Sequence, residues 1–393
     1  MHHRREFLRK SAFVSLTPLA PTFLQRSVQA AKINADGRIL VVVQLDGGND
    51  GLNTVVPFRD ELYSKYRPTL RVDGARVLKL DADLGFHPEM RAAADLFEDG
   101  RLAVVQNVGY PNPSRSHFQS MAIWHHGQPD VQRHDSIGWL GRTMDVRHES
   151  GWNSQSLFVG DSELPVAIRG RRAQAAAISD ASDLRVIGQP PLPKEQAIDD
   201  LTSFVSQSIE SSYEVARRFE ESTHAGPEAG GYPSAELGKK MKLVSRMIKT
   251  DPSTRVFYVA QSGYDTHASQ QFAHGQLLST FSNCLKAFLD DMQNSGLGEQ
   301  VAVLGFSEFG RRVQENGSAG TDHGAAGPVF IAGAEVNSRL HGSKPDLSNL
   351  ARGDLKHQFD FRQVYASLLH QWLRVDPTKI FESTYQELDL IRA

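Results

Sequence analysis

Apolar residues along this chain follow two rhythms. Short, nearly continuous runs rich in Val, Leu and Ile stand at 39–45, 102–106, 255–260, 301–306 and 329–332. Runs of that length predict strands buried on both faces, as in parallel sheets. Between them the spacing changes to i, i+3/i+4. Leu277, Phe281, Cys284, Leu285, Phe288, Leu289 and Met292 form one stripe, and 88–98 carries Met90, Ala94, Leu96 and Phe97. Both predict helices with one apolar face. Cys284 lies inside the stripe and reads as a core residue, not a nucleophile. Segments 197–222 and 234–249 also predict helices, joined by a Gly/Pro-rich loop at 224–233. The Pro-rich stretch at 188–193 reads as a linker opening a helical insertion at about 190–250. There are no internal repeats. The alternation predicts a single α/β domain over 31–393, with a mostly parallel central sheet and helices on both faces. In such folds ligands bind beyond the carboxyl ends of the strands.

The first thirty residues follow neither rhythm. A basic head (Arg4, Arg5, Arg9, Lys10) precedes a mildly apolar run at 11–24 and the small-residue sequence Ser27-Val28-Gln29-Ala30. This is the layout of a bacterial signal peptide, and the Arg4-Arg5 pair before Phe7-Leu8 resembles the twin-arginine type. Broken by Pro18 and Pro21, the run is too short for a stable membrane span. The expectation is a periplasmic or secreted protein with the twin-arginine translocase as its export partner. Composition narrows the class further. With 43 Lys+Arg against 46 Asp+Glu and no long like-charge block, nothing suggests a nucleic-acid-binding stripe. One cysteine in 393 residues excludes an intramolecular disulfide and a Cys-rich zinc knuckle.

Candidate chemistry follows the strands. The first runs into Asp46-Gly47-Gly48-Asn49-Asp50, and the second leads to Ser114-Arg115-Ser116-His117-Phe118. The third leads to Gly263-Tyr264-Asp265-Thr266-His267. The fourth leads to Ser307-Glu308-Phe309-Gly310-Arg311 and then Thr321-Asp322-His323-Gly324. Carboxylates and imidazoles gathered at one sheet edge suit a divalent ion such as zinc or manganese. Each motif also has a plain structural reading. Asp46 could make an Asx turn, Asp265 a helix N-cap, and Asp322-His323 a solvated turn. His125, His126, His134 and His148 lack a strand-end context and read as surface or core residues. Arg169-Gly170-Arg171-Arg172 reads as an exposed basic turn. P-loop and dinucleotide fingerprints are absent. The Gly305–Gly310 segment misses nucleophile-elbow spacing by one residue, leaving a metal-independent serine hydrolase as a distant alternative.

Asp46 and Thr321-Asp322-His323-Gly324 resemble the metal-binding elements of the alkaline phosphatase/sulfatase superfamily. The full set of strand-end motifs, with Asp360-Phe361-Arg362, is similar to the domain-of-unknown-function 1501 family, whose members are typically twin-arginine-exported bacterial proteins of that superfamily. The resemblance implies an alkaline-phosphatase-like fold and one or two divalent ions (zinc, manganese or calcium). Asp46, Asp322 and His323 would hold the first ion, and Asp265 and His267 would contribute to the second. Here the chain has Asp-x-His where the superfamily has Asp-x-x-x-His, and for the further histidine expected near the C-terminus His357 is a candidate without a distinctive motif around it. Pro111-Asn112-Pro113-Ser114-Arg115 resembles the sulfatase Cys-x-Pro-Ser-Arg element, with proline at the nucleophile position. Ser116, at a predicted helix start, becomes the expected nucleophile or equally an N-cap, and Arg115 a partner for substrate oxygens. The implied activity is metal-dependent hydrolysis of phosphate or sulfate esters, on a small-molecule or polysaccharide substrate. A non-catalytic envelope binding protein that keeps the fold and a structural metal is the competing expectation.

Overall fold

The strand β1 (Ile39–Asp46) shows how the apolar runs are used. Ile39, Val41, Val43 and Leu45 enter one core, while Leu40 and Val42 enter another. A pleated strand sends alternate side chains to opposite faces, so a continuous apolar run must be covered on both. The computed structural model describes residues 37–128, 137–150, 155–173, 175–179, 231–250 and 254–392. The expected signal peptide at 1–30, the linker at 188–193, the helix at 197–222 and His134 lie outside the described residues.

Three short strands, β2 (Val55–Val56), β3 (Leu78–Lys79) and β4 (Gly85–Phe86), form a small antiparallel sheet. The remaining strands are β5 (Leu102–Gly109), β6 (Gln155–Val159), β7 (Ala175–Ile178), β8 (Thr254–Ser262), β9 (Val301–Phe306), β10 (Gly327–Gly333), β11 (Leu340–His341) and β12 (Phe359–Asp360). With β1 they build one sheet in the order β11-β5-β10-β9-β1-β8-β6-β7, with β12 also beside β5. β1 pairs in parallel with β8 and β9 at its centre. The sheet is mostly parallel, as expected, but β10, read from the sequence with the parallel strands, is not one of them. It runs antiparallel to both β5 and β9, because a run buried on both faces carries no signal of its direction.

One face is covered by α1 (Arg91–Glu98), the other by α2 (His117–His126) and α3 (Trp139–Glu149). α4 (Glu236–Thr250) and the 25-residue α5 (Gln270–Asn294) join α1, and α6 (Phe361–Ser367) joins α2 and α3. The α5 stripe lies in the first core, including the free, buried Cys284. Burial pushes its thiol up to about 12, so it is an inert packing group. Each such buried Leu or Phe contributes roughly 1.5–3 kcal/mol over its exposed state. Residues 38–393 make one compact unit. Among the described residues no helix is long and apolar enough to cross a membrane. The parallel strands β1, β8 and β9 end side by side at Asp46, Ser262 and Phe306, and the functional loops leave the sheet there.

Candidate metal centre

The three central loops are locked together by backbone contact before any side chain is considered. Gly47, at φ 117°, brings the β1 loop so close to the β8 loop that a Cβ would stand 2.5 Å from Asp265 N. No L side chain fits there in that conformation. Gly320 does the same for the third loop, since a Cβ would lie 2.2 Å from the His267 carbonyl carbon. Arg311, fully buried, binds all three. Its Nε donates to Gly48 O at 2.8 Å and its Nη1 to Thr321 O at 2.8 Å. Its Nη2 donates to Tyr264 O at 2.9 Å, to Gly47 O, and to Asp265 Oδ1 at 2.7 Å. A planar fork with five N–H donors suits this convergence of acceptors.

Around Asp265 Oδ1 stand three imidazole nitrogens, all Nε2. His267 is at 3.0 Å, His323 at 3.1 Å and His117 at 3.3 Å. His267 Nε2 and His323 Nε2 are 2.9 Å apart. His117 Nε2 is buried and makes no hydrogen bond. The opposite nitrogen of each ring faces an acceptor: Glu308 Oε1 at 2.7 Å from His117 Nδ1, Asp322 Oδ1 at 3.2 Å from His267 Nδ1, and Arg115 O at 2.7 Å from His323 Nδ1. An Nδ1–H donated outward leaves each Nε2 with a lone pair facing inward. Donors around a tetrahedral ion with bonds of about 2.0–2.1 Å stand roughly 3.3 Å apart. The donor set and the orphaned His117 nitrogen therefore fit a divalent ion of the zinc class. Burial opposes ionisation of Asp265, but the hydrogen bond and charge of the Arg311 guanidinium hold its carboxyl well below the usual range. It is an anion at neutral pH, and with its side chain 49% exposed the centre is open to solvent.

The sequence-derived candidates fall around this centre in a partition the motifs did not imply. Asp265, His267 and His323 converge, although His323 was expected on a different ion. Asp265 caps no helix; the α5 N-cap is Ser269. Asp322 stands behind His267, hydrogen-bonded by Asn316 Nδ2 at 3.2 Å, and those contacts lower its carboxyl pKa. Asp46 lies to one side, accepting from Gln44 Nε2 at 3.2 Å and Ser262 Oγ at 3.5 Å. Burial and the nearby Glu308 charge raise its pKa. Ser116 is the N-cap of α2 and accepts from Gln119 N at 3.5 Å. The Arg115 guanidinium turns away to pair with Asp354, so it is the backbone carbonyl of Arg115 that serves the centre. His357 packs against Gly109, apart from the cluster.

His117 is the member of the cluster that the sequence alone presents only as the neighbour of Ser116. Its signal was available: a histidine at the first position of a helix that follows a strand end. Ser307, the near-elbow serine, is buried and spent on Leu45 O and Glu308 Oε2. Beneath the loops, Asp50 is held as a buried ion pair by both terminal nitrogens of Arg67 at 2.6 and 3.0 Å. Burial lowers the pKa of His274 to about 4, and its Nε2 meets Asn49 Oδ1 at 2.9 Å. His125 is also enclosed, between Gln44 Oε1 and Tyr258 OH, each 3.1 Å away.

These features place His117, Asp265 and His323 together as a group that could hold a metal ion at the carboxyl edge of an α/β sheet, with His267 against it. Residues 38–388 match the family described as "Protein of unknown function (DUF1501)", and the chain belongs to that family. No curated protein matches it in sequence. Among solved structures it is similar to a protein in the alkaline phosphatase superfamily from Vibrio parahaemolyticus, at 10% identity and a TM-score of 0.34. That match covers 78% of this chain and 63% of the other, so the chain spans less than two thirds of that protein. The C-terminal periplasmic domain of EcEptC from Escherichia coli is similar at 12% identity and a TM-score of 0.39, over 91% of this chain and 92% of that one. A TAB5 alkaline phosphatase mutant with Mg bound is similar at 8% identity and a TM-score of 0.36, over 76% and 91% respectively.

Proposed function

We propose that this protein is a metal-dependent hydrolase of phosphate or sulfate esters that works in the bacterial cell envelope. The observation that carries the reading is the convergence of His117, His267 and His323 Nε2 on Asp265 Oδ1 at 3.0–3.3 Å. A bound divalent ion would supply Lewis acidity toward an ester oxygen. The remaining work falls to the chain. Arg311 holds Asp265 in place and neutralises part of its charge. Ser116 offers a hydroxyl at the start of α2, where the exposed N–H groups of the helix favour developing negative charge. The resemblance of Asp46 and Thr321-Asp322-His323-Gly324 to the superfamily motifs supports the ester class, and the Arg4-Arg5 leader supports the envelope location.

A second reading, a binding protein with a structural ion, is favoured by two contacts. Ser116 already caps its helix, and the Arg115 guanidinium is already paired with Asp354. Turnover separates the two. Metal analysis of protein purified from the periplasm, followed by a panel of phosphate and sulfate esters, tests both at once. Bound metal with hydrolysis supports the enzyme; bound metal without hydrolysis of any ester supports the binding protein.

A further inference from the structure

The Ser307-Glu308-Phe309-Gly310-Arg311 motif has no part in the ester chemistry above beyond Arg311, yet Glu308 is a fully enclosed carboxylate beside the centre. Its side chain is 0% exposed. It accepts from Gly47 N at 3.0 Å, from Ser307 Oγ at 2.8 Å, and faces His117 Nδ1 at 2.7 Å. Among the described residues His117 is the only basic side chain within ion-pairing distance of its carboxylate. Ser120 Oγ, one helical turn beyond His117, donates to the Glu308 carbonyl at 2.6 Å. The first turn of α2 is thus pinned to this one residue by side chain and backbone together.

We propose that Glu308 is a positioning residue that acts through His117. A buried carboxylate demands donors and offers none of its own. The proton of the neutral ring is therefore held on Nδ1, and the ring plane is fixed by a charge-assisted hydrogen bond. Nε2 is left as a lone pair aimed at Asp265 and the other two imidazoles. Gly47 N and Ser307 Oγ hold Glu308 from the opposite side, so the orientation is transmitted from the sheet to the centre. This assignment rests on the metal-centre reading above. Its generality is that outer partners of ligating imidazoles commonly govern metal affinity by 10–100-fold.

The test is a double-mutant cycle read by zinc affinity of the purified chain, with Glu308→Gln and His117→Ala separately and together. The proposal expects Glu308→Gln to weaken zinc binding roughly 10–100-fold, and to weaken it no further once His117 is alanine. Unchanged affinity in Glu308→Gln, while His117→Ala loses zinc, overturns the assignment and leaves the metal centre standing. An equal further loss in the His117→Ala background also overturns it. A wild-type chain that takes up no zinc, or a His117→Ala variant that binds it normally, overturns the placement of His117 in the centre and this assignment with it. Should Glu308→Gln fail to fold, long-range ¹⁵N–¹H imidazole spectra of the zinc-loaded wild type decide the matter. They must show His117 protonated at Nδ1, and a proton at Nε2 overturns the proposal.

Discussion

Arg311 and Asp265 form an ion pair of unequal exposure: the guanidinium is completely enclosed, the carboxylate half open, with 2.7 Å between Nη2 and Oδ1. The buried partner also serves four backbone carbonyls from three loops. Its removal leaves those acceptors orphaned and the loops without their common tie. Arg311→Met is expected to cost at least the roughly 1–3 kcal/mol of a buried acceptor left unsatisfied, the half-open Asp265 carboxylate adding little, and to abolish metal binding. Chemical denaturation of the variant measures the first, metal content the second. Loss of metal with unchanged stability would separate Arg311 from the scaffold.

The ligands and their supports should differ in severity. His323→Ala or Asp265→Asn is expected to bring bound metal to near zero, whereas Asp322→Asn, which alters the partner of His267 Nδ1 and Asn316 Nδ2, should weaken affinity roughly 10–100-fold. Stoichiometry by elemental analysis at matched metal concentration ranks them. An Asp322→Asn loss as complete as that of Asp265→Asn would make Asp322 a direct ligand. Because a cation bound only to the folded state stabilises it, chelation should lower the melting temperature of the wild type and leave His323→Ala unmoved.

Ser116 carries two roles that one substitution can separate. As the N-cap of α2 it contributes about 1 kcal/mol, which Ser116→Ala removes. As a covalent nucleophile it would carry most of the turnover, with metal and fold retained. Ester hydrolysis measured beside stability decides between them: a small stability loss with full rate assigns the hydroxyl to capping alone.

His274 gives the stability a pH dependence. Burial holds its folded pKa at about 4, against about 6.5 when unfolded. The unfolded chain therefore takes up a proton that the fold refuses. The stabilisation is fully present above pH 6.5 and is lost as pH falls toward 4, by up to about 1.4 kcal/mol per pH unit. Urea denaturation across that window should show a shallower slope for His274→Gln than for the wild type. Parallel profiles would mean that His274 is protonated in the fold.

Export is testable independently of the centre. Replacing Arg4 and Arg5 with Lys should retain the precursor in the cytoplasm if the leader is of the twin-arginine type. Normal appearance of a chain beginning near Ala31 in the periplasm would reject that reading.

The sheet and the positions of its loops were legible because both follow from local rules. Apolar runs must be covered, and the chain must turn where they end, so Asp46, Asp265 and the Asp322-His323 pair could be placed at one edge from spacing alone. Direction and partition were not legible. Val329–Ala332 reads the same whichever way it runs, and only its pairing with β5 and β9 sets it antiparallel. The grouping of His323 with Asp265, with Asp322 behind His267, depends on two backbone crossings, at Gly47 and Gly320, and on the reach of the Arg311 side chain. None of these leaves a periodic trace. Glu308 was hidden for a related reason: a lone carboxylate after a strand is informative only once the ring it faces is known.

The antiparallel course of β10 has one more consequence. β9 leaves the sheet at Phe306, and β10 re-enters beside it at Gly327 on the same rim. Had β10 been parallel, the chain would first have travelled the length of a strand, roughly 20 Å for six residues, to start from the far rim. Instead residues 307–326, which carry Glu308, Arg311, Asp322 and His323, span a bridge with both piers in adjacent strands. Such a segment is a cassette. It can be lengthened or shortened without rethreading the sheet, so long as Arg311 keeps its hold on the neighbouring loops.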